Sequence, residues 1–170
     1  MLLLHKGKQP ADEIVLRAYE DARDDLYYYV LTLGLAPAQA QDVAQEVFLK
    51  LYVQLRAAGE IRNIRAWIFR VAHNEALKLK AKERGHAEIT PEVEPVAPDS
   101  NPEKRLLDDE TRRRLDDALR DLSPQQRQVL HLRAAGLRYR EIGETIGIGT
   151  STVSEFLRRA VLRLRKAIHE

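Results

Sequence analysis

Apolar residues recur at steps of three and four along almost the whole chain, and that rhythm lapses only once. A helix of 3.6 residues per turn gathers such positions on one side, whereas a strand alternates every second residue. Strand-like alternation is nearly absent, and only 8 glycines and 7 prolines punctuate 170 residues. The expected fold class is therefore all-α, with the helices gathered into small bundles on either side of the lapse.

The first helix is expected over Asp12–Leu33. Ile14, Ala18, Ala22, Leu26, Tyr29, Val30 and Leu33 form its stripe, and Gly34 closes it as a C-cap residue. Pro37 suits the first turn of a second helix. Its stripe runs through Ala40, Val43, Ala44, Val47, Phe48, Leu51, Tyr52 and Leu55, and Gly59 breaks the pattern. Gln41, Asp42, Gln45, Glu46 and Lys50 lie opposite. A third helix is expected over Arg65–Arg84, with Trp67, Ile68, Val71, Ala72, Ala76 and Leu79 facing inward. Arg70, His73, Asn74, Lys78 and Leu77 then face elsewhere. Trp67 shares the inner phase, so it is expected in the core rather than stacked on a base. Phe69 is either a second-face core residue or an exposed contact.

Residues 86–103 carry Pro91, Pro95, Pro98 and Pro102 among Glu88, Glu92, Glu94, Asp99 and Glu103. Proline removes a helical donor and clashes with the preceding turn, so no helix survives there. An acidic, flexible, proline-containing linker is expected over 86–104, between domains at 1–85 and 105–170. The second domain opens with a stripe of Leu107, Thr111, Leu115, Ala118, Leu119 and Leu122. Ser123-Pro-Gln-Gln126 reads as a capping box for the next helix, which carries Val129, Leu130 and Leu132 and closes at Gly136. A short helix follows over Tyr139–Ile146. A last one starts near Gly149–Thr152, with Val153, Leu157, Ala160, Val161, Leu164 and Ile168 inside.

Composition removes several classes. There is no cysteine, so there is no disulfide framework, thiolate zinc site or cysteine nucleophile. Five histidines, at 5, 73, 86, 131 and 169, lack ligand-like spacing, and no metal or cofactor is expected. Leu2, Leu3 and Leu4 are too short a run for a signal-peptide core, and no stretch is long enough to span a membrane. A cytoplasmic protein without membrane insertion is expected. No nucleophile and carboxylate set suggests catalysis.

The most specific local pattern is Ile142, Gly143, Ile146, Gly147, Ile148 and Val153, which has helix-turn-helix spacing. Gly143 is small where two helices cross, and Gly147 can take the positive φ of the turn. The second helix would then present Thr150, Ser151, Thr152, Ser154, Glu155, Arg158 and Arg159 to a major groove. Arg163, Arg165 and Lys166 follow, placed for phosphates.

At this point the chain resembles an extracytoplasmic-function (ECF) sigma factor of bacterial RNA polymerase. Asp42-Val-Ala-Gln-Glu-Val-Phe-Leu-Lys-Leu-Tyr52 resembles region 2.2, and Ile64-Arg-Ala-Trp-Ile-Phe-Arg-Val-Ala-His-Asn74 resembles regions 2.3 and 2.4. Leu119–Leu130 resembles region 4.1; Tyr139–Ile148 with the following helix resembles region 4.2. The resemblance implies core polymerase, promoter DNA and an anti-sigma factor as partners. It implies docking on core polymerase through Gln41, Asp42, Gln45 and Glu46. For the minus-ten element it implies Arg62, Asn63, Arg65, Arg70, His73, Asn74, Lys78 and Lys80. There the Gly59–Ile64 loop would capture a flipped base of the melted strand. For the minus-thirty-five element it adds Arg138 and Tyr139 to the face of the last helix. A sigma-like decoy and a conventional helix-turn-helix regulator are the alternative functions.

The chain departs from the family at the last helix. Ser154 and Phe156 stand where basic residues are usual, Glu155 adds an acid, and the proline expected near Gly149–Thr150 is missing. Lys78 replaces a common aspartate. The formal net charge of +2 hides opposed blocks. Residues 61–84 hold seven basic and two acidic side chains; residues 86–110 hold eight acidic and two basic. A small total thus does not argue against DNA.

Overall fold

The computed structural model describes residues 10–57, 59–85 and 109–169, which form seven α-helices and, among the described residues, no strand. The N-terminal half contains α1 (Ala11–Thr32), α2 (Pro37–Arg56) and α3 (Ile64–Arg84). The C-terminal half contains α4 (Asp109–Arg120), α5 (Pro124–Ala134), α6 (Tyr139–Ile146) and α7 (Thr150–His169). The expected linker at 86–104 lies outside the described residues.

Local chemistry sets the helix ends. Gly34 takes φ +87°, which lets the chain leave α1 and turn toward α2. Asn63 caps α3, its Oδ1 accepting from the Ala66 amide at 3.0 Å. Ser123 and Gln126 form the reciprocal pair expected of a capping box. The Gln126 amide donates to Ser123 Oγ at 3.2 Å, and the Ser123 amide to Gln126 Oε1 at 3.1 Å.

The α1, α2 and α3 stripes meet in a three-helix bundle. Leu26, Tyr29, Val30, Ala40, Val47, Leu51, Ile68, Phe69, Ala72 and Ala76 are sealed from solvent at its centre. Phe69 is thus a core residue, stacked edge-on against Tyr29. Trp67 is only half-buried, on the flank of α3. The inner phase expected for it brings the ring to the core's edge, not its interior.

In the C-terminal half, α4, α5 and α6 all pack on α7. Gly143 is required by the fold: a Cβ there would lie 2.6 Å from the Ile148 carbonyl oxygen. The close approach is thus to the backbone of the turn. Gly147 takes φ +84°, and its amide and that of Ile148 both donate to the Gly143 carbonyl.

The two halves pack against each other. The α1 helix lies on α5 and α3 on α6, and one apolar cluster runs from Leu26 and Phe69 through Val129, Leu132, Leu137 and Ile142 to Val153. Polar contacts also cross the seam among the described residues. Asn63 Nδ2 donates to Glu141 Oε1 at 2.6 Å, and Arg65 Nε donates to the Ala135 carbonyl.

Candidate nucleic-acid interface

The helix-turn-helix is built outward from its seal. Val153 and Ala160 of α7 are fully buried, and Ile142, Gly143 and Thr145 of α6 are buried opposite. With those positions inward, Thr150, Ser151, Ser154, Arg158 and Arg159 are exposed, and Thr152 and Glu155 are half-exposed. Arg138 and Tyr139 at the start of α6 are also exposed. The Arg133 guanidinium sits 5.5 Å from the Tyr139 ring centre, a cation–π contact.

Glu155 is tied into the helix face. Arg158 Nε donates to its Oε2 at 3.0 Å and Nη2 to its Oε1 at 2.9 Å; Arg159 Nε donates to Oε1 at 2.7 Å. These bonds, Arg158 first and then Arg159, hold the Glu155 carboxyl down to about 2. The acid is therefore ionised at any physiological pH. Phe156 is half-buried against the core cluster.

A second basic surface belongs to α3 and the loop before it. Arg62, Asn63, Arg70, Asn74 and Lys78 are exposed, and Arg65 and Lys80 are half-exposed. Several of these side chains already have partners. Arg65 pairs with Asp25 at 2.5 Å as well as with Ala135. Lys80 Nζ donates to the Leu33 carbonyl at 2.6 Å, tying α3 to the end of α1. Asn63 spends its oxygen on the α3 cap and its amide on Glu141.

His73 does not belong to this surface. It is 5 % exposed, and its Nδ1 lies 2.7 Å from the Tyr29 hydroxyl inside the bundle. Helical phase accounts for this, because His73 follows the sealed Ala72 and faces α1, where the Tyr29 hydroxyl is its hydrogen-bond partner. Burial lowers the imidazole's pKa and raises that of the Tyr29 phenol, so the fold favours the neutral form of each.

A third surface lies on α2. Gln41, Asp42, Gln45 and Glu46 are all exposed on one face. Leu49 and Val53 extend that face and are 61 % and 64 % exposed. An open groove of about 470 Å³ runs beside them, lined by Leu49, Val53, Trp67 and Val71 and edged by Asn74 and Lys78. At its rim the Glu75 carboxylate accepts from Lys50 at 2.6 Å and Lys78 at 3.3 Å, and the Lys50 bond leads in lowering its pKa. The sequence reading missed Leu49 and Val53. Their signal was available, since both are apolar yet fall off the α2 core stripe.

Two descriptions of known protein families match the chain. Sigma-70 region 2 matches residues 18–85, and Sigma-70, region 4 matches residues 118–166. The ECF RNA polymerase sigma factor SigL of Mycobacterium tuberculosis is 32 % identical over 172 residues, covering 96 % of this chain and 94 % of that protein. SigW of Bacillus subtilis is 27 % identical, covering 97 % and 92 %. Among solved structures, the sigma factor RpoE in complex with the anti-sigma factor NepR, from Bartonella quintana, superposes with a TM-score of 0.62. It is 21 % identical and covers 92 % of this chain and 97 % of that one. CnrH in complex with the cytosolic domain of CnrY gives a TM-score of 0.58 at 19 % identity, covering 93 % and 91 %. These two likenesses show the fold.

Proposed function

The chain belongs to the extracytoplasmic-function sigma factors of bacterial RNA polymerase, and from that membership we propose a role for each of its surfaces. Its function is the family's, directing core polymerase to promoters at the start of transcription. We read it as a binding subunit with no bond-making chemistry of its own. Residues 1–85 form the half for core polymerase and the minus-ten element, 86–104 the connector, and 105–170 the half for the minus-thirty-five element.

One observation carries the DNA assignment. The helix-turn-helix of α6 and α7 is sealed by Val153 and Ala160 on one side and leaves Thr150, Ser151, Ser154, Arg158 and Arg159 open on the other. Such a face enters a major groove, where hydroxyls and charged ends meet base edges and phosphates. Arg138 and Tyr139 border it. On α3 and the loop before it, Arg62, Arg65, Arg70, Lys78 and Lys80 supply charge for the melted minus-ten strand, with Asn63 and Asn74 as base-edge readers. Extruding a base costs a few kcal/mol, which contacts to the trapped base must offset. Phosphate neutralisation makes the affinity steeply salt-dependent.

The α2 face of Gln41, Asp42, Gln45 and Glu46 docks on core polymerase, and Leu49 and Val53 extend the contact. Apolar groups exposed beside a polar face suit a partner that covers them. We assign an anti-sigma factor as a further partner, because two similar solved structures are of complexes, one with an anti-sigma factor and one with a second chain's cytosolic domain.

The test is transcription from genomic DNA by core polymerase with and without the purified chain. Start sites that appear only with the chain, and share two spaced elements, are the expected result. If none appeared, the chain would be a decoy. Tight binding to duplex DNA that polymerase does not enhance would instead make it a conventional regulator.

A further inference from the structure

The carboxylate of Glu155 stands where a sigma factor's last helix would meet the minus-thirty-five bases, and it brings a negative charge into a phosphate-lined groove. Its place on α7 turns it outward. Val153 is sealed in the core, and a residue two positions on lies about 200° around a helix of 3.6 residues per turn. The Glu155 side chain is 39 % exposed, between two arginines that are each 59 % exposed. The three groups together carry one positive charge, so the acid enters the groove inside a cationic patch.

The hydrogen bonds leave a defined remainder. An ionised carboxylate accepts at about four lone-pair sites. Oε1 accepts from both Arg158 Nη2 and Arg159 Nε, and Oε2 from Arg158 Nε. One site, on Oε2, is left to accept a single N–H. In the major groove only cytosine N4 and adenine N6 donate. Adenine places its N7 acceptor beside that donor, and a carboxylate is repelled there. Cytosine presents its N4 donor with no acceptor of its own beside it. The same bonds engage Arg158 along its Nε edge, so its remaining N–H groups are left for phosphate.

We propose that Glu155 is the specificity-determining residue of α7, reading one cytosine of the minus-thirty-five element, and that Arg158 and Arg159 act as positioning residues for it. This rests on reading α7 as the helix that binds that element. The arginines, common base readers in a major groove, act here through the acid they hold.

The experiment selects active promoters from a library randomised in the minus-thirty-five element, using polymerase holoenzyme carrying the wild-type chain, Glu155→Ala, Glu155→Gln or Arg158→Ala. The wild type should enrich cytosine at one position by on the order of tenfold. Glu155→Ala should lose that preference at that position alone. Glu155→Gln should shift it toward adenine, since an amide pairs with N6 and N7 together. Arg158→Ala should weaken all promoters and blunt the cytosine preference. Unchanged base preferences in Glu155→Ala, or in the near-isosteric Glu155→Gln should the alanine variant misfold, would overturn the inference while leaving the sigma function standing. A wild-type holoenzyme that selects no promoter at all would overturn the sigma reading itself.

Discussion

Histidine 73 and asparagine 74 are neighbours with opposite work to do. The sequence offers both as base readers, yet one side chain is sealed against Tyr29 and the other is exposed on α3. His73→Ala should therefore act on stability, by about 2 kcal/mol for a lost buried hydrogen bond and the void beside it. Asn74→Ala should leave the melting temperature alone and weaken binding to a single-stranded minus-ten oligonucleotide. Thermal melts and fluorescence anisotropy on the two variants separate these outcomes. Burial also leads in holding His73 and His131 below the ordinary histidine value of 6.5. Just below that pH the unfolded chain binds more protons than the folded one, so stability rises with pH. This contribution is complete above about pH 6.5 and is lost as pH falls toward the lower folded values. Melting temperature should drop between pH 7 and 5.5, and drop less in His73→Gln.

At the scale of the element, two helices carry sharply different demands. The α6–α7 turn has no room for a side chain at Gly143, because the obstacle is the backbone oxygen of Ile148. Gly143→Ala should cost roughly 1–3 kcal/mol, the usual penalty for forcing a carbon into packed structure. Urea denaturation measures it, and an unperturbed midpoint would mean that the turn can open without loss. The α2 helix makes its demand on its outer face instead. Changing both Asp42 and Gln45 to alanine keeps a strong helix former at each exposed position. Helicity by circular dichroism should be unchanged, while affinity for core polymerase falls. Retained affinity would remove these two residues from the docking face.

For the whole molecule, the arrangement of the halves sets a geometric problem. Asn63, proposed here for the minus-ten element, and Glu141, in the half proposed for the minus-thirty-five element, are joined by a hydrogen bond of 2.6 Å. The two promoter elements, centred about 25 base pairs apart, are separated by roughly 85 Å of B-form DNA. On that reading the packed halves would not span both, so the α1–α5 and α3–α6 contacts are expected to part on the promoter. The chain has no cysteine, which makes paired labels unambiguous. With Asp24→Cys on α1 and Arg140→Cys on α6 both labelled, energy transfer should report a short distance in the free chain. In the promoter complex that distance should be tens of ångströms longer. An unchanged short distance there would overturn the separation.

What the sequence by itself determined is what short-range chemistry controls. The seven helices were legible from apolar periodicity. Their ends at Gly34, Ser123 and Gly147 were legible from capping and turn chemistry, and the helix-turn-helix from the small residue at 143 and the apolar residues around it. These features need only neighbours a few positions away. The exposed α2 face followed in the same way, as the complement of a continuous stripe. What the tertiary structure decided depends on how distant helices face one another. Tyr29 and His73 are 44 residues apart, and only the packing of α1 on α3 turns the imidazole inward. Phe69 joined the core, and Trp67 stopped at its edge, because a helix with neighbours on two sides buries more than one stripe. Asn63 and Glu141 are 78 residues apart, and their contact exists only because the two halves close on each other. A periodic pattern states which side of a helix is buried, but not which helix buries it.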